Sequence, residues 1–256
     1  MIAPRAARLS SWIAILLVCV LSPAGAARAF EQERSEYGAR ERLSEGPVRV
    51  RLAAPVPGSP DGGKEALRRA MTAWGAPACT SLRFVEASDF EPADVEVRFV
   101  KEGWPYGRAI AAHTDVQSDA QTGAIGRVVI EISGAWTWGE GEALPAGALD
   151  LESVLLHELG HAAGFSHSRD PDAMMRAGIK PGVVRRALAE DDVEGVCAIY
   201  PASGPAALRA RSVVKRAPFA AGAVLGVGGA VLAGLVVARR RRKTSAVRRP
   251  DPESSP

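Results

Sequence analysis

Histidine is scarce in this 256-residue chain, with four copies, and cysteine is scarcer still, with three. So few cysteines exclude a disulfide-dense mini-scaffold. No internal repeat is present. A surplus of positive charge is also missing where a fold must lie. The whole chain is formally +3, but residues 30–200 hold 18 Lys/Arg against 27 Asp/Glu, a net charge of −9. That acidity argues against a nucleic-acid partner, whose phosphates demand a basic surface. Hydrophobic residues make up 47% of the chain, enough for a real core and too many for a disordered one.

Long apolar runs are confined to the two ends. Near the first, Arg5 and Arg8 precede an apolar run from Trp12 to Leu21, followed by Ala-x-Ala sites ending at Ala26 and Ala29. That order predicts a secretory signal peptide over residues 1–29. An N-terminal membrane anchor is the competing reading, for which the run is short. Cys19 sits within the run, and Val18 before it suits a lipoprotein site poorly. Near the other end, residues 217–238 (APFAAGAVLGVGGAVLAGLVVA) carry no charge and are followed by RRRRK, Arg239 to Lys243. The run is long enough for a transmembrane helix, and the arginines place residues 239–256 as a basic cytoplasmic tail. A buried core helix is the weaker alternative, since nothing after the run could cover it. Gly222 and Gly226 form a GxxxG, readable as a helix-pairing face or as an unpaired glycine-rich span. The expected protein is exported and single-pass, with its folded part outside the cytoplasm. The span with its arginine cluster also resembles bacterial surface-sorting tails, whose removal would release the protein.

Between these ends lie a polar segment at 30–46, a domain at 47–201 and a stalk at 202–216. The domain retains Cys79 and Cys197. Export permits a disulfide between them; two buried thiols are the alternative. Alternating residues predict strands at 48–52, 82–85, 95–100 and 127–132, with a short one at 109–113. Helical spacing of Leu67, Ala70, Met71 and Trp74 predicts a helix over 64–74. Others are expected over about 148–163, with an apolar side of Leu149, Val154, Leu155 and Leu159, and near 190–200, with acids in its first turn. Strands followed by helices give an α+β class.

Three of the four histidines fall within His157–His167, HELGHAAGFSH. His157 and His161 lie four apart on the expected helix and share a face, so both imidazoles can reach one zinc ion. Glu158 adjoins the first ligand and can take a proton from a zinc-activated water without occupying a coordination place. A third ligand must come from beyond the helix. Gly164 can adopt positive φ, end the helix and turn His167 back towards the metal. Two surface or core histidines at helical spacing would be unremarkable; the added glycine and third histidine at these offsets make the pattern specific. Three protein ligands leave a fourth position open, as catalytic zinc requires.

HELGHAAGFSH with a methionine downstream resembles the metzincin signature. HSRDPDAMMRAGI resembles the matrixin (matrix metalloproteinase-like) run from the third histidine to the Met-turn, and LAEDDVEGVCAIYP resembles the matrixin C-terminal helix. AIAAHT and WTWG match more weakly, and the likeness spans residues 46–201. It implies a metzincin-type catalytic domain with a twisted mixed sheet, and a zinc endopeptidase acting on protein or peptide substrates. It implies His157, His161 and His167 as ligands of one catalytic Zn2+. It also implies Glu158 as the base that shuttles a proton to the leaving amine, Met175 as the Met-turn residue, and the strand at 127–132 as the sheet edge that receives an extended substrate. Plain core packing would account for Met174 and Met175 almost equally well.

The chain departs from the family pattern in places. Only His113 falls near a position for the family's structural zinc, and VVIEIS replaces a segment that would supply another ligand. Structural zinc and calcium are therefore not expected. Residues 30–46 contain no cysteine for a propeptide switch. Arg176 and Ala177 stand where the family often has Tyr-Pro. A non-enzymatic or latent zinc-stabilised, membrane-anchored binding domain is the competing function; it predicts a lost glutamate or ligand. An astacin-like branch is disfavoured by the missing tyrosine after the Met-turn.

Overall fold

The computed structural model describes residues 29–88 and 90–204. Those residues fall in one compact unit. The expected signal peptide (but for Ala29), most of the stalk, the apolar span 217–238 and the basic tail lie outside them. Among the described residues no helix is long and apolar enough to cross a membrane.

In chain order the elements are β1 (Arg42–Leu43), β2 (Pro47–Leu52), α1 (Lys64–Gly75), β3 (Arg83–Glu86), β4 (Val95–Val100), β5 (Ala112–Ser118), β6 (Ala124–Ser133), β7 (Trp138–Gly139), β8 (Leu149–Asp150), α2 (Leu151–Ala162) and α3 (Glu190–Ile199). The α+β class expected from the sequence holds. β2, β3, β4 and β6 run parallel, in the order β3-β2-β4-β6, and β5 is antiparallel to β6. Ile125 of β6 pairs with Leu43 of β1 and with Ser118 of β5, so β1 and β5 lie on opposite flanks of β6. β4 shares β1's flank, because Val128 pairs with both Val95 and Val116.

This arrangement corrects the expected substrate edge. The strand around 127–132 is interior, with neighbours on both sides; among the described residues β5 is the edge strand beside it and β3 the edge at the far side. The composition of β6 agrees with an interior place, since Val128, Val129 and Ile130 are consecutive and all buried.

The core lies between the sheet and the helices α1 and α2. β2 alternates, burying Val48 and Val50 while Arg49 faces out. α1 contributes Ala66, Leu67, Ala70, Met71 and Trp74, one face at helical spacing. α2 starts later than expected. Leu149 and Asp150 pair with Trp138 and Gly139 as a short parallel ladder, and Asp150 then caps the helix by accepting from the Ser153 N–H at 3.0 Å. Leu149 therefore belongs to a strand. The edge strand is also displaced from the expected 109–113 to 112–118, because a turn in which the Ile110 N–H donates to the Gly107 carbonyl runs into that stretch.

The polar segment 30–46 is a poor source of apolar side chains, yet it is tied to the domain through its backbone. The Ser166 N–H donates to the Glu31 carbonyl and the Glu33 N–H to the Gly164 carbonyl, both at 2.9 Å. The Ala29 and Phe30 N–H groups donate to Asp191 Oδ1 on α3. At the far end, Cys79 and Cys197 form a disulfide with their Cα atoms 5.3 Å apart, joining the segment after α1 to α3. Tyr200, just past α3, donates its hydroxyl to the Ala163 carbonyl and accepts from the Leu43 N–H.

Candidate active site

α2 carries His157 and His161 one turn apart, and nearly every other residue of this helix is buried. The helix ends in a Schellman arrangement. The Phe165 N–H reaches the Gly160 carbonyl at 3.0 Å and the Gly164 N–H the His161 carbonyl at 2.9 Å. Gly164 has φ +82°, and a Cβ there would sit 2.4 Å from the Glu41 carbonyl oxygen. Left-handed backbone and close approach both demand glycine. The turn brings His167 back to the helix, so that one ligand atom from each of His157, His161 and His167 lies within 4.8 Å of the others.

Carbonyl contacts orient two of the rings. His157 Nδ1 lies 2.9 Å from the Met174 carbonyl oxygen and His161 Nδ1 2.8 Å from that of Phe165. A carbonyl can only accept, so each Nδ1 carries a proton, which leaves Nε2 as the nitrogen that can ligate when the ring is neutral. His157 Nε2 and His167 Nε2 approach to 3.3 Å. Burial, with the neighbouring His161 second, holds the His157 pKa down to about 3. Burial and His161 lower that of His167 as well. Neutral imidazoles with converging lone pairs are the form that ligates a metal ion, and a shared cation relieves their mutual repulsion. The donor set fits one divalent zinc.

Glu158 is 7% exposed. Burial raises its pKa, while the positive charge of His161, a hydrogen bond from Thr114 and His113 oppose the rise. Thr114 on β5 places its hydroxyl 2.5 Å from Glu158 Oε2.

Met175 is fully buried under the helix. Gly160 makes room for it, since a Cβ at that position would meet Met175 Sδ at 2.2 Å and Trp74 Cζ2 at 2.8 Å. Asp192 of α3 accepts from the Met174 and Met175 N–H groups at 2.6 and 3.1 Å. The Ser168 hydroxyl donates to Asp191 Oδ2 at 2.6 Å, and the Ser168 N–H donates to the Met175 carbonyl at 2.9 Å. The chain from His167 to the methionine is thereby closed into a loop clamped by α3. His113, outside the triad, has its ring centroid 3.9 Å from that of Tyr106, whose hydroxyl donates to Glu131.

A family model for the matrixins matches residues 58–201, more than half of the chain. The chain belongs to the matrixin family. Among characterised proteins, Metalloendoproteinase 4-MMP of Arabidopsis thaliana is 31% identical over 143 residues, covering 54% of this chain and 40% of its own length. Metalloendoproteinase 1 of Glycine max is 31% identical over 155 residues, or 57% of this chain and 48% of its own. Human Matrix metalloproteinase-20 is 29% identical over 143 residues, covering 53% of this chain and 27% of its own length. The chain thus spans less than half the length of these relatives. Membership of the matrixins implies zinc, and the triad has the chemistry to hold it.

Sequence reasoning missed Thr114, Gly160, Asp150 and the specific work of Asp191 and Asp192. For Asp150 a signal existed: Asp-x-x-Ser directly before an apolar run is an N-cap pattern. The acids opening α3 were legible only as partners of the helix dipole, whereas Asp192 reaches the Met174–Met175 backbone. Nothing local marks Thr114.

Proposed function

We propose that this matrixin domain is a zinc-dependent endopeptidase of proteins outside the cytoplasm. The observation carrying that reading is the convergence of three imidazoles, two of them oriented by backbone carbonyls, beside a buried glutamate. His157, His161 and His167 would hold one zinc ion, which when bound polarises the scissile carbonyl and acidifies the attacking water. Glu158 takes the proton of that water and returns it to the departing amine. Gly164 turns His167 into place, and Met175 packs beneath the ligand-bearing helix.

The substrate lies along β5. The Ser133 N–H donates to the Ala111 carbonyl, which fixes the pairing phase of the ladder. Ala111, His113, Asp115 and Gln117 spend their backbone groups on β6, so those of Ala112, Thr114 and Val116 face away from it. An extended peptide can add there as a further antiparallel strand.

Export through residues 1–29 and tethering through 217–238 complete the proposal; both rest on composition. Fractionation of the full chain, with protease added from outside, tests them: the domain should be digested and the arginine-rich tail protected.

The decisive experiment measures cleavage of an unfolded protein and a mixed peptide library by zinc-loaded residues 30–205, beside a chelator control and Glu158→Ala. Cleavage abolished by both controls supports the peptidase. Stoichiometric zinc without Glu158-dependent cleavage returns the domain to a zinc-stabilised binding role. A folded domain that takes up no zinc defeats the assignment of the triad.

A further inference from the structure

Thr114 is the one residue of β5 with a side-chain hydrogen bond to α2. Its Oγ1 lies 2.5 Å from Glu158 Oε2 and 3.4 Å from the Glu158 carbonyl oxygen. An ionised carboxylate only accepts, so the threonine hydroxyl donates. One oxygen of Glu158 is then held and the other left for work. The same residue has its backbone on the outward side of the edge strand, because its neighbours His113 and Asp115 make the bonds to β6. Thr114 therefore touches both the proton-transfer group and the line along which a peptide would pair.

We infer that Thr114 is a positioning residue for the peptidase reaction, its hydroxyl fixing the Glu158 carboxylate and its main chain joining that carboxylate to the docked substrate strand. The inference rests on the peptidase reading above. A glutamate has three side-chain torsions, and at this site the helix sets only where they begin. A hydroxyl anchored on a β-branched residue of a paired strand is a stiff second point of attachment. Pairing of a peptide with β5 immobilises the main chain of Thr114, and with it the hydroxyl. Substrate binding and orientation of the base become one event. Small misplacements of a catalytic group are expensive in rate, up to about 100-fold for 1 Å. Removal of the hydroxyl should therefore act on turnover more than on binding.

The test compares Thr114→Val, which keeps shape and strand propensity without the donor, with Thr114→Ser, which keeps the donor. The zinc-loaded domain is assayed for kcat and KM on one peptide, and the zinc-free domain for its Kd towards a non-cleavable peptide of the same sequence. Thr114→Val should lower kcat by about 10- to 100-fold, with KM and the zinc-free Kd within about 2-fold. Thr114→Ser should recover most of that loss. Thr114→Val with unchanged kcat overturns the inference. So does Thr114→Ser failing as badly as Thr114→Val, or a weakening of the zinc-free Kd that accounts for the whole effect, since either marks a role in shape or substrate docking. Wild-type protein that shows no Glu158-dependent cleavage defeats the peptidase reading itself. Wild-type cleavage with an indifferent Thr114→Val defeats only the positioning role.

Discussion

α1 and α2 are both twelve-residue helices packed against one another, and they solve different problems. α1 buries one face and leaves Arg68 and Thr72 in solvent; the exposed Asp61 before it accepts from the Glu65 N–H of its first turn at 2.7 Å. α2 is enclosed on nearly all sides, with His161 the one half-buried position along its length. An enclosed helix must satisfy its polar groups within the protein. Asp150 serves the N-terminus, accepting from Ser153 and pairing with Arg186. Trp74 of α1 donates its indole N–H to the Leu156 carbonyl at 2.8 Å. The Schellman turn closes the C-terminus. The helix that carries His157 and His161 is immobilised from every side, whereas its neighbour is held along one stripe.

The contrast can be broken most severely at Asp150, which is fully buried. Asp150→Ala removes the cap and strands Arg186, and is expected to destabilise the domain by about 3–5 kcal/mol, read by denaturant unfolding. The second break concerns the frame around both helices. Cys79 and Cys197 are 118 residues apart in sequence, so replacing both by serine should lower stability by about 2–5 kcal/mol, with a matching drop in Tm. Equal unfolding of the oxidised and reduced wild-type protein would show the bridge to be unimportant. A finer probe is Gly160→Ala. In a solvent-facing helix this exchange stabilises, by about 1 kcal/mol. Here the added methyl must displace Met175 and Trp74, so a loss of about 1–3 kcal/mol is expected, together with weaker zinc retention in a competition with chelator. A gain in stability would mean that the methionine yields freely. At the small end, Arg68→Ala on the open side of α1 should leave the denaturant midpoint unchanged, although Arg68 contacts Glu65, because exposed ion pairs contribute little. A large effect there would erase the distinction between the two helices.

Legibility followed sequence distance. His157, Glu158, His161, Gly164 and His167 lie within eleven residues, and helical periodicity with one glycine turn relates them. Val48, Val50, Val95 and Val97 alternate with polar residues and could be read as strands with an inner face. β5 was legible only as a short strand over 109–113, since AHTDVQS shows weak apolar alternation, and its full extent follows from pairing with β6. The run RVVIEI announced a strand without announcing its neighbours. Its continuous apolar stretch pointed to an interior place, and assigning it to the edge was the error the topology corrects.

The sequence by itself determined the histidine spacing, the three helices and four of the eight strands, because each depends on residues within a few turns of one another. Only the tertiary structure decided which strand is the edge, what holds Glu158, what fills the space beside Gly160 and what clamps the methionine loop. Those contacts join residues tens of positions apart, such as Thr114 to Glu158 and Met174 to Asp192. Their geometry is set by the packing of the sheet and helices together, and no local pattern encodes it.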